Sequence, residues 1–172
     1  MLKILTSKQI KELDAFTIAH EPVSSIDLME RACVAFVNWF RSKFDQTNTI
    51  EIICGTGNNG GDGLGIARLL LQAQYKVNVS IIRGSATESE DFQKNFQRLP
   101  NNAQVKEIRS ESDYTLCESS ILIDAIFGSG LNRPVEGIYA SVIEKLNQAK
   151  AIRVAVDIPS GLMTEKSSSG PI

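Results

Sequence analysis

The chain has 172 residues, of which 42% are hydrophobic and 22% are charged, and its formal net charge is -2. A chain of this length can bury one hydrophobic core without disulfide or metal crosslinks. The net charge indicates no positively charged surface that would bind a nucleic acid or an anionic membrane. No apolar run approaches the roughly 20 residues of a membrane-spanning helix, so we predict a single soluble domain with neither partner.

The cysteines and the histidine exclude several kinds of chemistry. Cys33, Cys54 and Cys117 are odd in number and far apart, and His20 is the only histidine. No Cys/His spacing is typical of zinc, and free thiols are typical of a reducing compartment, so we predict a cytoplasmic protein. A Ser-His-Asp or Cys-His mechanism would depend on His20 alone, and we interpret that residue as a solvated helix end.

Taken in chain order, the apolar pattern predicts two helices and then alternating strands and helices. Helices are predicted over Ser7–His20 and Ile26–Phe44, and the second should place Phe36, Trp39 and Phe40 in the core. Strands follow at 50–54, 76–83, 104–108, 120–124 and 152–157, with helices at 64–74, 88–99, 111–118 and 138–148. This alternation predicts an α/β fold, a Rossmann-like doubly wound and mainly parallel sheet with helices on both faces in three layers.

A glycine-rich stretch, Gly-Thr-Gly-Asn-Asn-Gly-Gly-Asp-Gly over residues 55–63, joins the first strand to the following helix. Glycines let a backbone approach a bound group closely, and a helix start presents unpaired N–H donors, so the stretch favours an anionic or amide-rich ligand. It also fits the dinucleotide fingerprint G-x-G-x-x-G. However, Asp62 adds a carboxylate, and the next strand ends in Arg83 with no acid for a ribose hydroxyl.

The glycine stretch alone is therefore compatible with three hypotheses for the function of the protein. One is a NAD(P)-dependent Rossmann oxidoreductase, in which Arg83 would face a 2′-phosphate. Another is a non-catalytic nucleotide-binding module. The third is an enzyme of a different reaction class, and it depends on two further loops.

Those two loops follow the strands that end at Asp124 and Asp157. In a sheet of order 3-2-1-4-5 these strands neighbour the one ending at Cys54, so all three loops should share one crevice. The loop 124–134 carries glycines and Arg133, whose guanidinium could form two hydrogen bonds to a phosphate. The loop 157–162 carries Ser160 on a turn that a proline makes rigid. Both aspartates end apolar strands, and we predict that both are partly desolvated.

These motifs, with Leu-Met-Glu-Arg-Ala at 28–32, resemble the YjeF N-terminal domain, the family of NAD(P)H-hydrate epimerases. The resemblance implies an isomerase of nicotinamide cofactor repair, which interconverts the R and S forms of NADHX and NADPHX. The family's substrate contacts match Asn58, Asn59, Gly60, Gly61, Asp62, Gly128, Ser129, Gly130, Leu131, Asn132, Arg133, Pro134 and Asp157. Its potassium (K+) ligands match Asn59, Asp124 and Ser160.

The resemblance also sets expectations for mechanism and organisation. We hypothesise that Asp157 is catalytic and exchanges a proton as the hydrated ring carbon is inverted. Members of the family usually continue for some tens of residues past the Asp157 turn, so 1–172 is expected to be one domain truncated at its C-terminal end. Whether it is part of a bifunctional protein with a C-terminal dehydratase domain, and whether it forms a homodimer, stay open.

Overall fold

The described part of the chain contains five helices and five strands. The computed structural model describes residues 5–84, 87–115, 118–163 and 172. In chain order the elements are α1 Ser7–His20, α2 Ser25–Arg41, β1 Thr49–Cys54, α3 Asn58–Gln72, β2 Lys76–Ile82, α4 Glu90–Gln97, β3 Gln104–Ile108, β4 Ile121–Ala125, α5 Gly137–Gln148 and β5 Ile152–Ala155. The predicted alternation of strands and helices is confirmed except between β3 and β4, where the described residues form no helix.

The strands form one parallel sheet of order β3-β2-β1-β4-β5, as predicted. Alternate residues of β1 point to opposite faces of the sheet. Ile50 and Ile52 pack with α2, α3 and α4 on one face, and Ile53 packs with α5 on the other. The sheet is therefore the middle of three layers, and the carboxyl ends of β1, β4 and β5 share one rim.

Polar side chains fix where the first two helices begin. Thr6 and Gln9 form a reciprocal capping box at the start of α1, and the Ser24 hydroxyl accepts a hydrogen bond from the Asp27 N–H at the start of α2. At the other end of α1, His20 is exposed and stacks on Phe16, which confirms the solvated helix end. No residue of α1 is buried, in contrast to the other four helices.

Two local predictions are wrong. Trp39 is 46% exposed because the buried stripe of α2 runs through Cys33, Val37 and Phe40, and Trp39 lies on its flank. The helix predicted at 111–118 does not form in its described part: residues 111–113 form a turn, and 116–117 lie outside the described residues. The Asp113 carboxylate accepts the backbone N–H groups of Arg109 and Ser110 there, a local pattern that competes with helix formation.

Candidate functional site

A cavity of about 1150 Å3 lies at the shared carboxyl rim of β1, β4 and β5. The start of α3 lines it, as do the loop after β4, the end of β5 and one face of α1. Of the predicted substrate contacts, it is lined by Asn58, Asn59, Asp62, Gly128, Ser129, Gly130, Leu131, Asn132, Arg133, Pro134 and Asp157. The structure thus brings three separate loops to one cavity.

Gly60 and Gly61 do not line this cavity. A Cβ atom on Gly60 would lie 1.9 Å from the Gly55 carbonyl oxygen, and one on Gly55 would lie 2.4 Å from the Ile126 carbonyl oxygen. These glycines therefore allow α3, β1 and the loop after β4 to approach each other closely. This close approach accompanies the position of Asn58 and Asn59 at the cavity.

Asp62 lies one turn into α3 and faces both the cavity and α2. Its carboxylate does not cap the helix. Instead, the Cys33 thiol lies 3.8 Å from its Oδ1 and 3.4 Å from its carbonyl oxygen. Burial raises the pKa of Asp62 to about 7, with smaller contributions from other aspartates, although the Cys33 contact lowers it. Asp62 therefore changes charge near neutral pH.

Cys33 is an unreactive wall of the same cavity. Burial, and then the charge of Asp62, raise the pKa of its thiol to about 12. A thiol with such a pKa stays protonated at neutral pH, so it is a poor nucleophile and packs as a small apolar group.

Asp157 joins the second and third loops. Its Oδ2 accepts the Ser129 N–H at 2.6 Å, and a Cβ atom on Gly128 would lie 2.6 Å from the same oxygen. The predicted desolvation of Asp157 is wrong, because this side chain follows the edge strand β5 and is exposed. An exposed carboxylate at the cavity wall can reach a bound molecule directly.

Asp124 and Ser160 form a compact pair beneath this wall. Asp124 Oδ1 accepts the Ser160 hydroxyl at 2.6 Å and its Oδ2 accepts the Ser160 N–H at 2.8 Å. The Ser160 oxygen also lies 3.2 Å from the Phe127 carbonyl oxygen. Burial raises the pKa of Asp124 despite these hydrogen bonds, which confirms its predicted desolvation. Neither residue lines the large cavity, and Asp124 lines a smaller one of about 170 Å3.

Comparison with known proteins assigns the family. Residues 25–172 match the family model described as YjeF-related protein N-terminus. The chain belongs to this YjeF-related family. It is 41% identical to a protein of Limosilactobacillus fermentum named NAD(P)H-hydrate epimerase, over 94% of this chain and 76% of that protein. A protein of the same name from Lentilactobacillus buchneri is 38% identical over 94% of this chain and 74% of its own length.

Two less similar proteins support the same family assignment and fold. A bifunctional NAD(P)H-hydrate repair enzyme Nnr from Thermofilum pendens is 31% identical over 94% of this chain, which spans 32% of that enzyme. The crystal structure of yeast ynu0, YNL200c, superposes with a TM-score of 0.81 at 25% identity, over 99% of this chain and 75% of that one. The Rossmann-like three-layer fold is therefore shared with a solved structure.

The cavity of this YjeF-related domain includes residues that the sequence analysis missed. Ser7, Ile10, Lys11 and Asp14 of α1 line it, and so does Tyr139 of α5. The four α1 residues stand at positions i, i+3, i+4 and i+7, a spacing that was a usable signal for one helix face. Tyr139 gave no such signal, because its place depends on how α5 packs against the end of β2.

Arg83 is not available for a 2′-phosphate. Its guanidinium pairs with Glu88 and Glu107 and lies 5.6 Å from the ring centroids of both Phe92 and Phe96. An arginine with two carboxylate partners and two aromatic neighbours is committed to the fold. The role predicted for Arg83 under the oxidoreductase alternative therefore has no support in this domain.

The described part of the chain shows neither a cluster of metal-ligating side chains nor a membrane-spanning helix. Within residues 5–84, 87–115, 118–163 and 172, no group of three or more His, Cys, Asp and Glu side chains gathers as a metal site. None of the helices in that same part of the chain is long and apolar enough to cross a membrane.

Proposed function

We propose that this chain is an NAD(P)H-hydrate epimerase, an isomerase that interconverts the R and S forms of NADHX and NADPHX. The observation that carries the proposal is its identity of 36 to 41% over at least 94% of its length to several proteins of that name. The loops after β1, β4 and β5 meet at one cavity, and this arrangement supports the proposal. A dinucleotide is long and needs a binding surface with both polar and apolar side chains.

The reaction requires proton exchange at a hydrated ring carbon. When the hydroxyl group leaves one face of the ring and water adds to the other, one proton is supplied to the departing oxygen and one is removed from the entering water. We assign this exchange to Asp157, whose exposed carboxylate is held by the Ser129 N–H. The Ser129 hydrogen bond fixes the orientation of the carboxylate and leaves it open to the cavity.

Asn58, Asn59 and Asp62 are proposed to orient the ring and its carboxamide. An amide side chain offers both donors and an acceptor, which matches a carboxamide. Because the pKa of Asp62 is raised to about 7 by burial, its carboxyl group is partly protonated near neutral pH and can also donate a hydrogen bond. The loop from Gly128 to Pro134, with Arg133, forms the adjoining wall of the cavity.

K+ is proposed to bind at Asn59, Asp124 and Ser160. The donor set fits a hard cation, because Asp124, Ser160 and the Phe127 carbonyl already place several oxygens together. Asn59 would contribute its side-chain oxygen, because the amide nitrogen is a hydrogen-bond donor and cannot ligate a cation. When bound, the cation would supply positive charge beside the Asp124 carboxylate.

The function is tested by chromatographic separation of the R and S forms of NADHX over time, with and without protein. We expect a mixture enriched in one epimer to reach equilibrium faster with the protein than in buffer. Equal rates would exclude the epimerase. An absorbance assay for hydride transfer to common small substrates separates the oxidoreductase alternative, and we expect no reaction there.

The potassium site is tested by exchanging potassium chloride for sodium or choline chloride. We expect a lower melting temperature and a slower exchange of epimers in choline, and both differences should disappear in Asp124→Asn. A melting temperature and a rate that are indifferent to the cation would contradict the site.

The cytoplasmic location of the protein stays a prediction. Its assembly as a homodimer and its link to a C-terminal dehydratase domain in a longer protein stay open alternatives. Sedimentation equilibrium of the purified chain tests the homodimer, and a single species of monomer mass at every concentration would exclude it.

A further inference from the structure

Helix α1 forms one wall of the cavity although it contributes nothing to the core. Ser7, Ile10, Lys11 and Asp14 line the cavity, and their spacing places them on one face of the helix. The Ser7 hydroxyl donates a hydrogen bond of 2.7 Å to the Ser129 carbonyl oxygen, which ties the start of α1 to the loop after β4. The helix precedes residue 25, where the family match begins.

Lys11 follows Ser7 by four residues on this face. Four residues of an α-helix advance about 6 Å along the axis, so Lys11 lies about one turn beyond the point where α1 meets the loop that carries Arg133. Lys11 and Arg133 both line the cavity. Within the described residues, no carboxylate lies within ion-pair distance of either side chain.

The charges around the cavity make these two cations important. Its lining includes four acidic residues, Asp14, Asp62, Glu136 and Asp157, against the two basic residues Lys11 and Arg133. A dinucleotide carries a diphosphate with two negative charges, which would be repelled by the acidic side of the wall. The diphosphate therefore belongs beside the uncommitted basic side chains.

We propose that Lys11 of α1, together with Arg133, binds the diphosphate of the dinucleotide substrate, so that α1 is part of the substrate site. The assignment rests on the proposed function for the identity of the substrate. The planar guanidinium of Arg133 can donate hydrogen bonds to two phosphate oxygens at once, and the ammonium group of Lys11 adds a positive charge from the helix. Ser7 is a positioning residue, because its bond to Ser129 holds α1 against the loop.

The chain offers a matched control on the same helix. Lys8 lies one turn before Glu12 and within 3.9 Å of it, its side chain is 85% exposed, and it does not line the cavity. Lys8→Gln and Lys11→Gln each remove one positive charge from α1 at neighbouring positions. A difference between them therefore reports the position of the charge and not the net charge of the protein.

The experiment compares wild type, Lys8→Gln, Lys11→Gln and Lys11→Arg by two readouts. The first is calorimetric binding of ADP-ribose, which contains the diphosphate and no nicotinamide. The second is the KM and kcat of epimer exchange. Both are measured at low and high choline chloride with the potassium concentration held constant, so that screening is varied alone.

We expect Lys11→Gln to weaken ADP-ribose binding and to raise the KM by about tenfold at low salt, with kcat within about twofold, since the lost contact is a charge-assisted hydrogen bond. The salt dependence of binding should also decrease, Lys11→Arg should restore most of the affinity, and Lys8→Gln should behave as wild type. Equal losses in Lys8→Gln and Lys11→Gln, or no loss in either, would overturn the assignment.

The two readouts also separate this inference from the proposed function. If ADP-ribose binding depends on Lys11 while wild type does not exchange the epimers, the diphosphate site stands and the epimerase is excluded. If wild type exchanges the epimers and neither binding nor KM responds to Lys11→Gln, the epimerase stands and the role of Lys11 is excluded.

Discussion

Two of the helices that border the cavity, α1 and α3, are held in the protein in opposite ways. Helix α3 buries eight of its residues, among them Leu64 and Leu70 with no exposed surface. Helix α1 buries none, and its Leu13 and Phe16 are 51% and 58% exposed. One wall of the cavity is therefore continuous with the core, and the other rests on it. Substitutions of the buried residues of α3 should act on folding, and substitutions of the cavity-lining residues of α1 should act on binding.

The largest expected effect is that of a methyl group added inside the start of α3. In Gly60→Ala the new Cβ atom would lie 1.9 Å from the Gly55 carbonyl oxygen. The oxygen belongs to the backbone and the Cβ atom is bonded directly to the backbone, so neither can move aside, and we expect a loss of about 4 kcal/mol or more in the free energy of unfolding. Urea denaturation measures this loss.

Gly57→Ala is the matched control at the N-cap of the same helix. No atom lies within 4 Å of the added methyl group, and φ is -89°. A loss under about 1 kcal/mol is expected, because alanine is a poorer N-cap residue than glycine. A Gly60→Ala protein as stable as Gly57→Ala would show that the start of α3 is not packed as described.

A pair of identical substitutions compares the two helices directly. Leu70→Ala removes a fully buried side chain of α3, and Leu13→Ala removes a half-exposed side chain of α1. We expect Leu70→Ala to lower the free energy of unfolding by about 2 to 5 kcal/mol, because it leaves a cavity in the core. Leu13→Ala should change it by less than about 0.5 kcal/mol. Comparable losses for the two variants would contradict the contrast between the helices.

A smaller effect is expected from the buried carboxyl group of α3. The pKa of Asp62 is raised from 3.8 to about 7, chiefly by burial. Between these values the folded protein keeps a proton that the unfolded chain releases, so the stability that Asp62 contributes is complete below pH 3.8 and is lost as the pH rises to about 7. The whole pKa change would correspond to about 4 kcal/mol in the free energy of unfolding. We expect about half of this contribution, because Asp62 borders the cavity and solvent there screens its charge.

Asp62→Asn isolates this contribution. The difference in unfolding free energy between wild type and Asp62→Asn should shift by about 2 kcal/mol between pH 4 and pH 8, with wild type relatively weaker at pH 8. Thermal unfolding across that range measures the shift. A constant difference would mean that Asp62 titrates alike in the folded and unfolded chain.

Much of the fold was predictable because its signals are local. Apolar runs and helical spacing gave every strand, and the strand order follows from the parallel α/β topology. Trp39 was misplaced because an apolar residue on the flank of a helix has the same spacing as one on its buried stripe. Residues 111–113 were misplaced because the hydrogen bonds of Asp113 to the backbone of Arg109 and Ser110 favour a turn.

The candidate site was predictable where the loops follow neighbouring strands. The cavity lining of Asn59 and Asp157 follows from that rule. The exposure of Asp157 does not, because it depends on β5 lying at the edge of the sheet. The part played by α1 was also missed, since no local pattern shows where a helix with a weakly apolar face will lie.

The proposed epimerase mechanism depends most on Asp157, which we assign as the group that exchanges protons with the bound dinucleotide. Asp157→Asn keeps an oxygen that can accept the Ser129 N–H, and the side chain is exposed, so the variant should fold with nearly the melting temperature of wild type. We expect it to bind ADP-ribose as wild type does and to exchange the R and S forms of NADHX at least about 100-fold more slowly. A folded Asp157→Asn protein that exchanges the epimers at the wild-type rate would contradict the account.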